Sequence, residues 1–260
     1  MYTDSHTHLY LDSFSDDRDE MIHRAREAGI SRMLLPNIDS HSLGAMFRLS
    51  DQFPDNCFPM MGLHPTSVKS DYREELRIIE NHLDRPGIIA IGETGIDLYW
   101  EKTFLREQVE VFKTQIGWAR ELNLPLVIHA RDSFPEIFKA LDDNGGIGLR
   151  GVFHSFTGTA EELEKALSYN FMIGINGIVT FKNSPLEKVA KSIPKDRLLL
   201  ETDAPFLTPV PFRGKRNESS FLVHIAVKMA EVLDLTLPEI GGITSRNAEI
   251  MFQLDPAHGT

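Results

Sequence analysis

The stretch from residue 88 to residue 131, IIAIGETGIDLYWEKTFLREQVEVFKTQIGWARELNLPLVIHAR, contains one strand–helix–strand unit and decides the fold class. Its first apolar run predicts a strand over Ile88–Gly92, and its last predicts a strand over Leu126–Ile128. Between them, Phe104 to Leu122 predicts a long helix with one apolar stripe, as a helix that covers a sheet requires. The residues of that stripe recur at helical spacing: Val109, Phe112, Ile116 and Ala119.

The same alternation extends in both directions along the chain. Six further strands are predicted, at Tyr2–His6, Arg32–Pro36, Phe58–Leu63, Gly151–Phe153, Phe171–Ile175 and Leu198–Glu201. Two helices are predicted after the last strand, at Phe221–Leu233 and Leu237–Leu254. Eight such units in 260 residues predict an α/β fold, a (β/α)8 TIM barrel, rather than an open sheet. With no linker in the sequence, residues 1–260 are predicted to form a single domain.

Composition narrows the classes of function. The chain has 38 acidic and 27 basic residues, a net charge of −11, which disfavours a protein that coats DNA through counterion release. It does not exclude a nucleic-acid enzyme, because bound cations can reverse the field inside one cleft. A single cysteine excludes an internal disulfide. No run approaches the roughly 18 apolar residues of a membrane helix, and no signal-peptide pattern is seen, so a cytoplasmic protein is predicted.

Seven polar side chains fall at or just after the carboxyl ends of predicted strands. In a barrel these ends converge on one mouth, where the active sites of this fold lie. Taken singly, such a histidine is more often a hydrogen-bonded loop residue, and such an acid is more often a helix cap. Taken together, the seven predict a site: His6, His8, His64, Glu93, His129, His154 and Asp203.

The spacing of His6 and His8 favours a metal site. Residues i and i+2 of a strand point to the same face, so both imidazoles can address one cation. Imidazoles with carboxylates suit zinc, manganese, iron or cobalt. Six candidate ligands suit two ions that share Glu93 as a bridge. The first ion would take His6, His8 and Asp203, and the second His129 and His154. Such a pair of ions predicts hydrolysis without an organic cofactor.

The chain resembles the TatD family of metal-dependent deoxyribonucleases, among the amidohydrolase-like barrels. Motifs in the expected order carry the resemblance from one end of the chain to the other. They are DSHTHL at 4–9, GLHP at 62–65, GETGID at 92–97, PLVIHAR at 125–131, FHSFTG at 153–158, ETDAPFLTP at 201–209 and RGKRN at 213–217. Two positions depart from the family pattern, Leu98 directly after Asp97 and Ser219 after Glu218.

The resemblance implies a metal-dependent hydrolase that cleaves phosphodiester bonds of DNA, commonly as a 3′→5′ exonuclease on single strands. It implies two divalent metal ions, Mg, Mn or Zn, held by His6, His8, Glu93, His129, His154 and Asp203. Asp203 would act as general base and Glu93 as the bridging ligand. His64 would contact phosphate or donate a proton. DNA would be a transient substrate, and neither a membrane nor an obligate protein partner is predicted.

Other residues near the mouth keep two interpretations each. Arg131, Arg213 and Arg216 would contact phosphate, while a basic run such as Arg213-Gly214-Lys215-Arg216 is also typical of a solvated loop. The aromatic residues Tyr99, Trp100 and Phe212 could stack on a base or could simply pack. Asp97 could orient a ligand histidine or cap a helix.

Two alternative functions stay open on the sequence. The first is a metal-dependent hydrolase of another ester or amide bond, such as a lactone, a small ester or a D-aminoacyl-tRNA. The second is a non-catalytic barrel that serves as a scaffold. A scaffold is expected to have lost ligands, whereas all six positions here carry competent residue types.

Overall fold

The computed structural model describes residues 1–255, in which eight parallel strands alternate with helices. The strands are β1 (Tyr2–Asp4), β2 (Ile30–Pro36), β3 (Cys57–Met60), β4 (Ile91–Asp97), β5 (Leu126–Arg131), β6 (Gly151–Phe153), β7 (Met172–Ile175) and β8 (Leu198–Leu200). Neighbouring strands pair in two runs, β1 to β3 and β4 to β8. The prediction of a single domain over residues 1–260 includes residues 256–260, which lie outside the described part of the chain.

Hydrogen bonds join the two runs of strands at both seams. At the first seam Met61 pairs with Ile91 in parallel, and the Gly92 amide donates to the Met61 carbonyl at 2.8 Å. At the second seam the Ser5 amide donates to the Leu200 carbonyl at 3.1 Å. The eight strands therefore close on themselves, and the predicted (β/α)8 TIM barrel is confirmed.

Nine α-helices surround this barrel within residues 1–255. They are α1 (Arg18–Glu27), α2 (Leu43–Gln52), α3 (Tyr72–Glu80), α4 (Leu105–Glu121), α5 (Phe134–Asp143), α6 (Ala160–Ser168), α7 (Leu186–Ala190), α8 (Leu222–Leu233) and α9 (Leu237–Phe252). The predictions for α4, α8 and α9 agree with these bounds to within two residues at each end. Within the same residues, no helix is long and apolar enough to cross a bilayer.

The prediction for β4 was wrong in its bounds. The strand begins at Ile91, three residues later than predicted, and continues to Asp97. All seven of its residues are buried although several are polar, because the barrel interior at this level is itself polar. A strand prediction that relies on apolar residues alone therefore ends this strand too early. For the same reason β5 extends to Arg131, so that Glu93 and His129 lie within strands rather than after them.

Helix α9 seals the amino-terminal end of the barrel. Successive strand residues point alternately outward and inward, so each strand can contribute an inward residue to this layer. The layer consists of Leu34, Met60, Ala90, Val127, Val152, Met172 and Leu199. Ala248, Met251 and Phe252 of α9 pack against it. Because this end is filled by apolar side chains, only the opposite end is left for a polar site.

Candidate metal centre

The structure brings the seven predicted polar side chains together at the carboxyl ends of the strands. Glu93 lies at their centre and is 2% exposed. The two oxygens of its carboxylate face different neighbours, so the site has two halves that share one residue.

The first half surrounds Glu93 Oε2. The Nε2 atom of His6 lies 3.0 Å from that oxygen and 3.3 Å from Nε2 of His8. Asp203 Oδ1 lies 3.8 Å from His6 Nε2 and 3.6 Å from His8 Nε2. Two atoms that each lie about 2.0–2.2 Å from one ion are at most about 4.4 Å apart, so His6, His8 and Asp203 can share a cation, and Glu93 Oε2 lies within that range of both histidines.

The second half surrounds Glu93 Oε1. The His129 Nδ1, His64 Nε2 and His154 Nε2 atoms lie 2.9, 3.3 and 3.5 Å from it, respectively. Around Glu93 the geometry groups His129 with His64, and His154 with His6. The rings of His6 and His154 stack with centroids 3.4 Å apart. Neither group joins His129 with His154, so their sharing of one ion stays a prediction.

Hydrogen bonds outside the cluster set the tautomer of His8. The hydroxyl of Tyr10 donates to the Pro36 carbonyl at 2.6 Å, so its oxygen is free to accept from His8 Nδ1, 3.0 Å away. A proton on Nδ1 leaves the lone pair of Nε2 directed at the cluster. This is the arrangement that metal-binding histidines adopt.

A carboxylate does the same for His129, and a second carboxylate lies beside His154. Asp97 Oδ2 accepts from His129 Nε2 at 2.8 Å, and Glu201 Oε1 lies 2.9 Å from His154 Nδ1. Asp97 also accepts from the backbone amides of Tyr99 and Trp100 in the following loop. The predicted contact with a histidine is therefore present, whereas the predicted helix cap is wrong, because α4 begins only at Leu105 and has no side-chain cap. Glu201 is fully buried, and the absence of a side chain at Gly174 leaves the space that its carboxylate fills.

His64 has the opposite polarity. Its Nδ1 accepts from the Thr66 backbone amide at 3.1 Å, which requires an unprotonated Nδ1. A neutral His64 therefore carries its proton on Nε2, the atom that faces Glu93 Oε1. In this tautomer His64 is a hydrogen-bond donor to the cluster and not a ligand.

The electrostatics of the cluster keep Glu93 charged. Burial alone would raise the pKa of its carboxyl, but the imidazoles of His64, His6 and His154 outweigh burial and hold the pKa well below its ordinary value. Burial lowers the pKa of His154, and the carboxylates of Glu201 and Glu93 outweigh it and raise that pKa to about 10. The centre thus contains a charged carboxylate that attracts cations.

Asp203 and His8 are shifted in opposite directions. Burial, reinforced by the carboxylates of Glu93 and Glu201, raises the pKa of Asp203 to about 7. Burial lowers the pKa of His8 to about 4, which keeps this imidazole neutral and able to bind a cation near neutral pH. A carboxyl that titrates near neutrality in a cleft is typical of acid–base sites.

The predicted phosphate-contacting arginines lie outside the cluster. Arg131 is exposed at the end of β5, with its guanidinium 4.5 Å from the centroid of Tyr99. Arg213 lies 3.7 Å from the centroid of Phe181. Arg216 forms two 2.7 Å bonds with the carboxylate of Asp17, so the structure gives it an ion-pair partner within the chain.

The aromatic residues separate into two groups. Phe212 stacks on Phe221 with ring centroids 4.3 Å apart, so its role is packing. Tyr99 and Trp100 are 52% and 70% exposed at the mouth. Phe206, which the sequence analysis missed, is 52% exposed, and its ring centroid lies 6.3 Å from that of His8. Its place in the loop after the last strand was the available signal.

Known proteins match this chain over nearly its whole length. A family model described as "TatD related DNase" matches residues 3–253. The metal-dependent hydrolase YabD of Bacillus subtilis is 38% identical over 256 residues, 98% of this chain and all of that one. The 3′-5′ ssDNA/RNA exonuclease TatD of Erwinia tasmaniensis is 34% identical over 93% of this chain and 95% of its own.

A solved structure agrees in fold. The crystal structure of the TatD homologue YJJV from Escherichia coli K12 superposes with a TM-score of 0.91 and covers 98% of each chain at 24% identity. The match at this identity supports the barrel and says nothing further about substrate.

Proposed function

Because the chain belongs to the TatD related DNase family and is therefore a metal-dependent hydrolase acting on ester bonds, we propose that it hydrolyses phosphodiester bonds of DNA. We propose further that it acts as a 3′→5′ exonuclease on single strands, the activity by which its relative in Erwinia tasmaniensis is named. DNA would be a transient substrate. A cytoplasmic location stays a prediction.

One observation carries the proposal: the two oxygens of Glu93 face two separate sets of candidate ligands. That arrangement suits two divalent ions, Mg, Mn or Zn, bridged by one carboxylate. Ions held there would lower the pKa of a water and neutralise charge on a phosphate. The ligands would be His6, His8 and Asp203 on one side of Glu93, and His129 and His154 on the other.

The chain's own groups would then move the protons. Asp203 accepts the proton of the attacking water as general base, because its carboxylate faces the same half of the centre as His6 and His8. His64 donates from Nε2 to a phosphate oxygen, because Thr66 holds its other nitrogen as an acceptor. Arg131 and Arg213 contact phosphates of the bound DNA strand. Arg216 is bound to Asp17 and would position the loop that carries Arg213.

The test is digestion of labelled oligonucleotides by protein reconstituted with Mg²⁺, Mn²⁺ or Zn²⁺. Single- and double-stranded DNA are labelled at either the 5′ or the 3′ end. A 3′→5′ exonuclease releases a 3′ label at once as a mononucleotide and shortens a 5′-labelled strand stepwise. Glu93→Gln keeps the volume and removes the bridging charge, so activity should fall by roughly 10³-fold or more.

Two results would overturn the proposal. Equal digestion by wild type and Glu93→Gln at equal metal content would place the activity elsewhere. Turnover of lactones, small esters or D-aminoacyl-tRNA, with DNA left intact, would assign the site to another ester or amide bond.

A further inference from the structure

We infer that exposed aromatic side chains on opposite sides of the metal centre hold unpaired bases of the nucleic-acid strand, one base on each side of the scissile phosphate. The inference rests on the proposed function and specifies how the substrate is recognised. The first platform consists of Tyr99 and Trp100 after β4, and the second is Phe206 after β8.

The distribution of exposed aromatic residues is the first support. Among residues 1–255, three aromatic side chains are more than half exposed, namely Tyr99, Trp100 and Phe206, at 52%, 70% and 52%. All three follow carboxyl ends of strands. A large aromatic side chain in water forgoes the stabilisation of burial, and this fold buries most of its aromatic residues, so their collection at the mouth indicates a binding role.

Strand order places the two platforms across the centre from each other. In a closed barrel of eight strands, β4 and β8 are four strands apart in either direction and thus lie on opposite sides. The first platform is linked to the centre by Asp97, which binds His129 and both loop amides. The second is linked by contact of the Phe206 ring with that of His8.

Buried polar side chains hold both loops in place. On the first side, the Gln108 amide donates to the Glu101 carbonyl at 2.8 Å and its oxygen accepts from the Asp97 amide at 2.8 Å. On the second side, fully buried Asn217 donates to the Phe206 carbonyl at 2.6 Å and to the Thr202 carbonyl at 2.9 Å. Both platforms therefore project from loops that the fold supports.

An unpaired strand is the occupant that this chemistry fits. Every nucleobase has a face that stacks on an aromatic ring, whereas bases within a duplex are already stacked and paired. Arg131 over the Tyr99 ring adds a cation beside the first platform. Because the net charge of −11 repels a polyanion at long range, contacts to bases gain importance relative to charge.

The first experiment compares Trp100→Ala and Phe206→Ala with Ile147→Ala. Ile147 is 83% exposed in the loop before β6, at the other end of the barrel. The measured quantity is the ratio of kcat/KM for an ordinary oligonucleotide to kcat/KM for an abasic one of the same length. Each platform variant should lower this ratio by about 10-fold, the middle of the range for one stacked base, while Ile147→Ala leaves it unchanged.

The second experiment measures binding without hydrolysis, in the Glu93→Gln protein. A stacked base should quench the fluorescence of Trp100, whereas buried Trp118 supplies a constant background. Single-stranded DNA and RNA should both quench, and abasic or double-stranded DNA should not. Quenching without hydrolysis by the wild type would refute the nuclease proposal and leave the platforms standing. Equal quenching by ordinary and abasic strands, or an unchanged kcat/KM ratio in the platform variants, would refute the platforms.

Discussion

The two ends of the barrel are built from the same strands and have opposite interiors. At the amino-terminal end, six apolar strand residues and Ala90, next to the start of β4, pack against three apolar residues of α9. At the carboxyl end, strands and the loops after them place six titratable side chains around the carboxylate of Glu93. Where one strand and its following loop contribute to both layers, the two layers lie two to four residues apart, as from Val127 to His129 and from Leu199 to Asp203.

This difference indicates a division of labour within one fold. Burial of charged and polar groups disfavours folding unless each is paired, whereas burial of an apolar layer favours it. The sealed end can therefore supply stability that the site does not. Substitutions at the sealed end should change stability and leave chemistry intact, and substitutions at the open end should do the reverse.

Phe252→Ala gives the largest expected effect on stability. The side chain is 3% exposed and packs against the apolar layer, so truncation should leave a cavity and cost about 3–5 kcal/mol of unfolding free energy. Denaturant unfolding measures this loss. The kcat at a temperature well below the transition should equal that of the wild type.

The matched control is Ile250→Ala, on the same helix but 57% exposed, which should change stability by less than about 0.5 kcal/mol. If Phe252→Ala lowered kcat while the protein remained folded, the two ends would be coupled and the division of labour would fail.

Glu201→Gln should have an intermediate effect at the open end. The charge of Glu201 makes the His154 imidazole more basic, and the glutamine keeps the volume without the charge. Removing such a supporting carboxylate lowers metal affinity or activity by about 10–100-fold. Activity titrated against metal concentration measures the change. Glu164→Gln, at an exposed position of α6, is the control. Wild-type metal affinity in Glu201→Gln would show that the carboxylate is only a space-filling group.

The sequence predicts the barrel and the innermost residues of the site for a clear physical reason. Strand–helix alternation specifies parallel strands, and parallel strands bring their carboxyl ends to one place. His6, Glu93 and Asp203 are far apart in sequence, yet each needs only its place at or just after the end of a predicted strand to be identified.

The supporting residues are harder to predict because their partners depend on side-chain direction and register. Glu201 lies two residues before Asp203, but its histidine partner follows β6, at a separation of 47 positions in the chain. The roles of Tyr10 and Thr66 depend on hydrogen bonds to the histidines two residues before them in the chain. Phe206 becomes recognisable only when exposure is known, since sequence does not separate it from packed Phe212.

Asp17→Asn should give the smallest effect and should separate the two ends by their dependence on pH. Asp17 lies at the rim of the open end, where hydrogen bonds from Arg216 and Arg24 hold the pKa of its carboxyl below its ordinary value of 3.8. The carboxylate is 32% exposed, so the loss at neutral pH should be only about 0.2–1 kcal/mol. Because the folded pKa is depressed, this contribution is complete above the unfolded pKa and disappears as the pH falls below it toward the folded value.

The destabilisation by Asp17→Asn should therefore be full at pH 6–7 and shrink below about pH 4. Phe252→Ala has no titrating partner in its apolar layer, so its effect should stay constant over the same range. Denaturant unfolding of both variants and the wild type at several pH values makes the comparison, with Asp143→Asn, an exposed partner of Lys139 on α5, as the control. A loss for Asp17→Asn that did not vary with pH would mean that its side chain acts through shape rather than charge, and that the rim of the open end is stabilised in the same way as the sealed end.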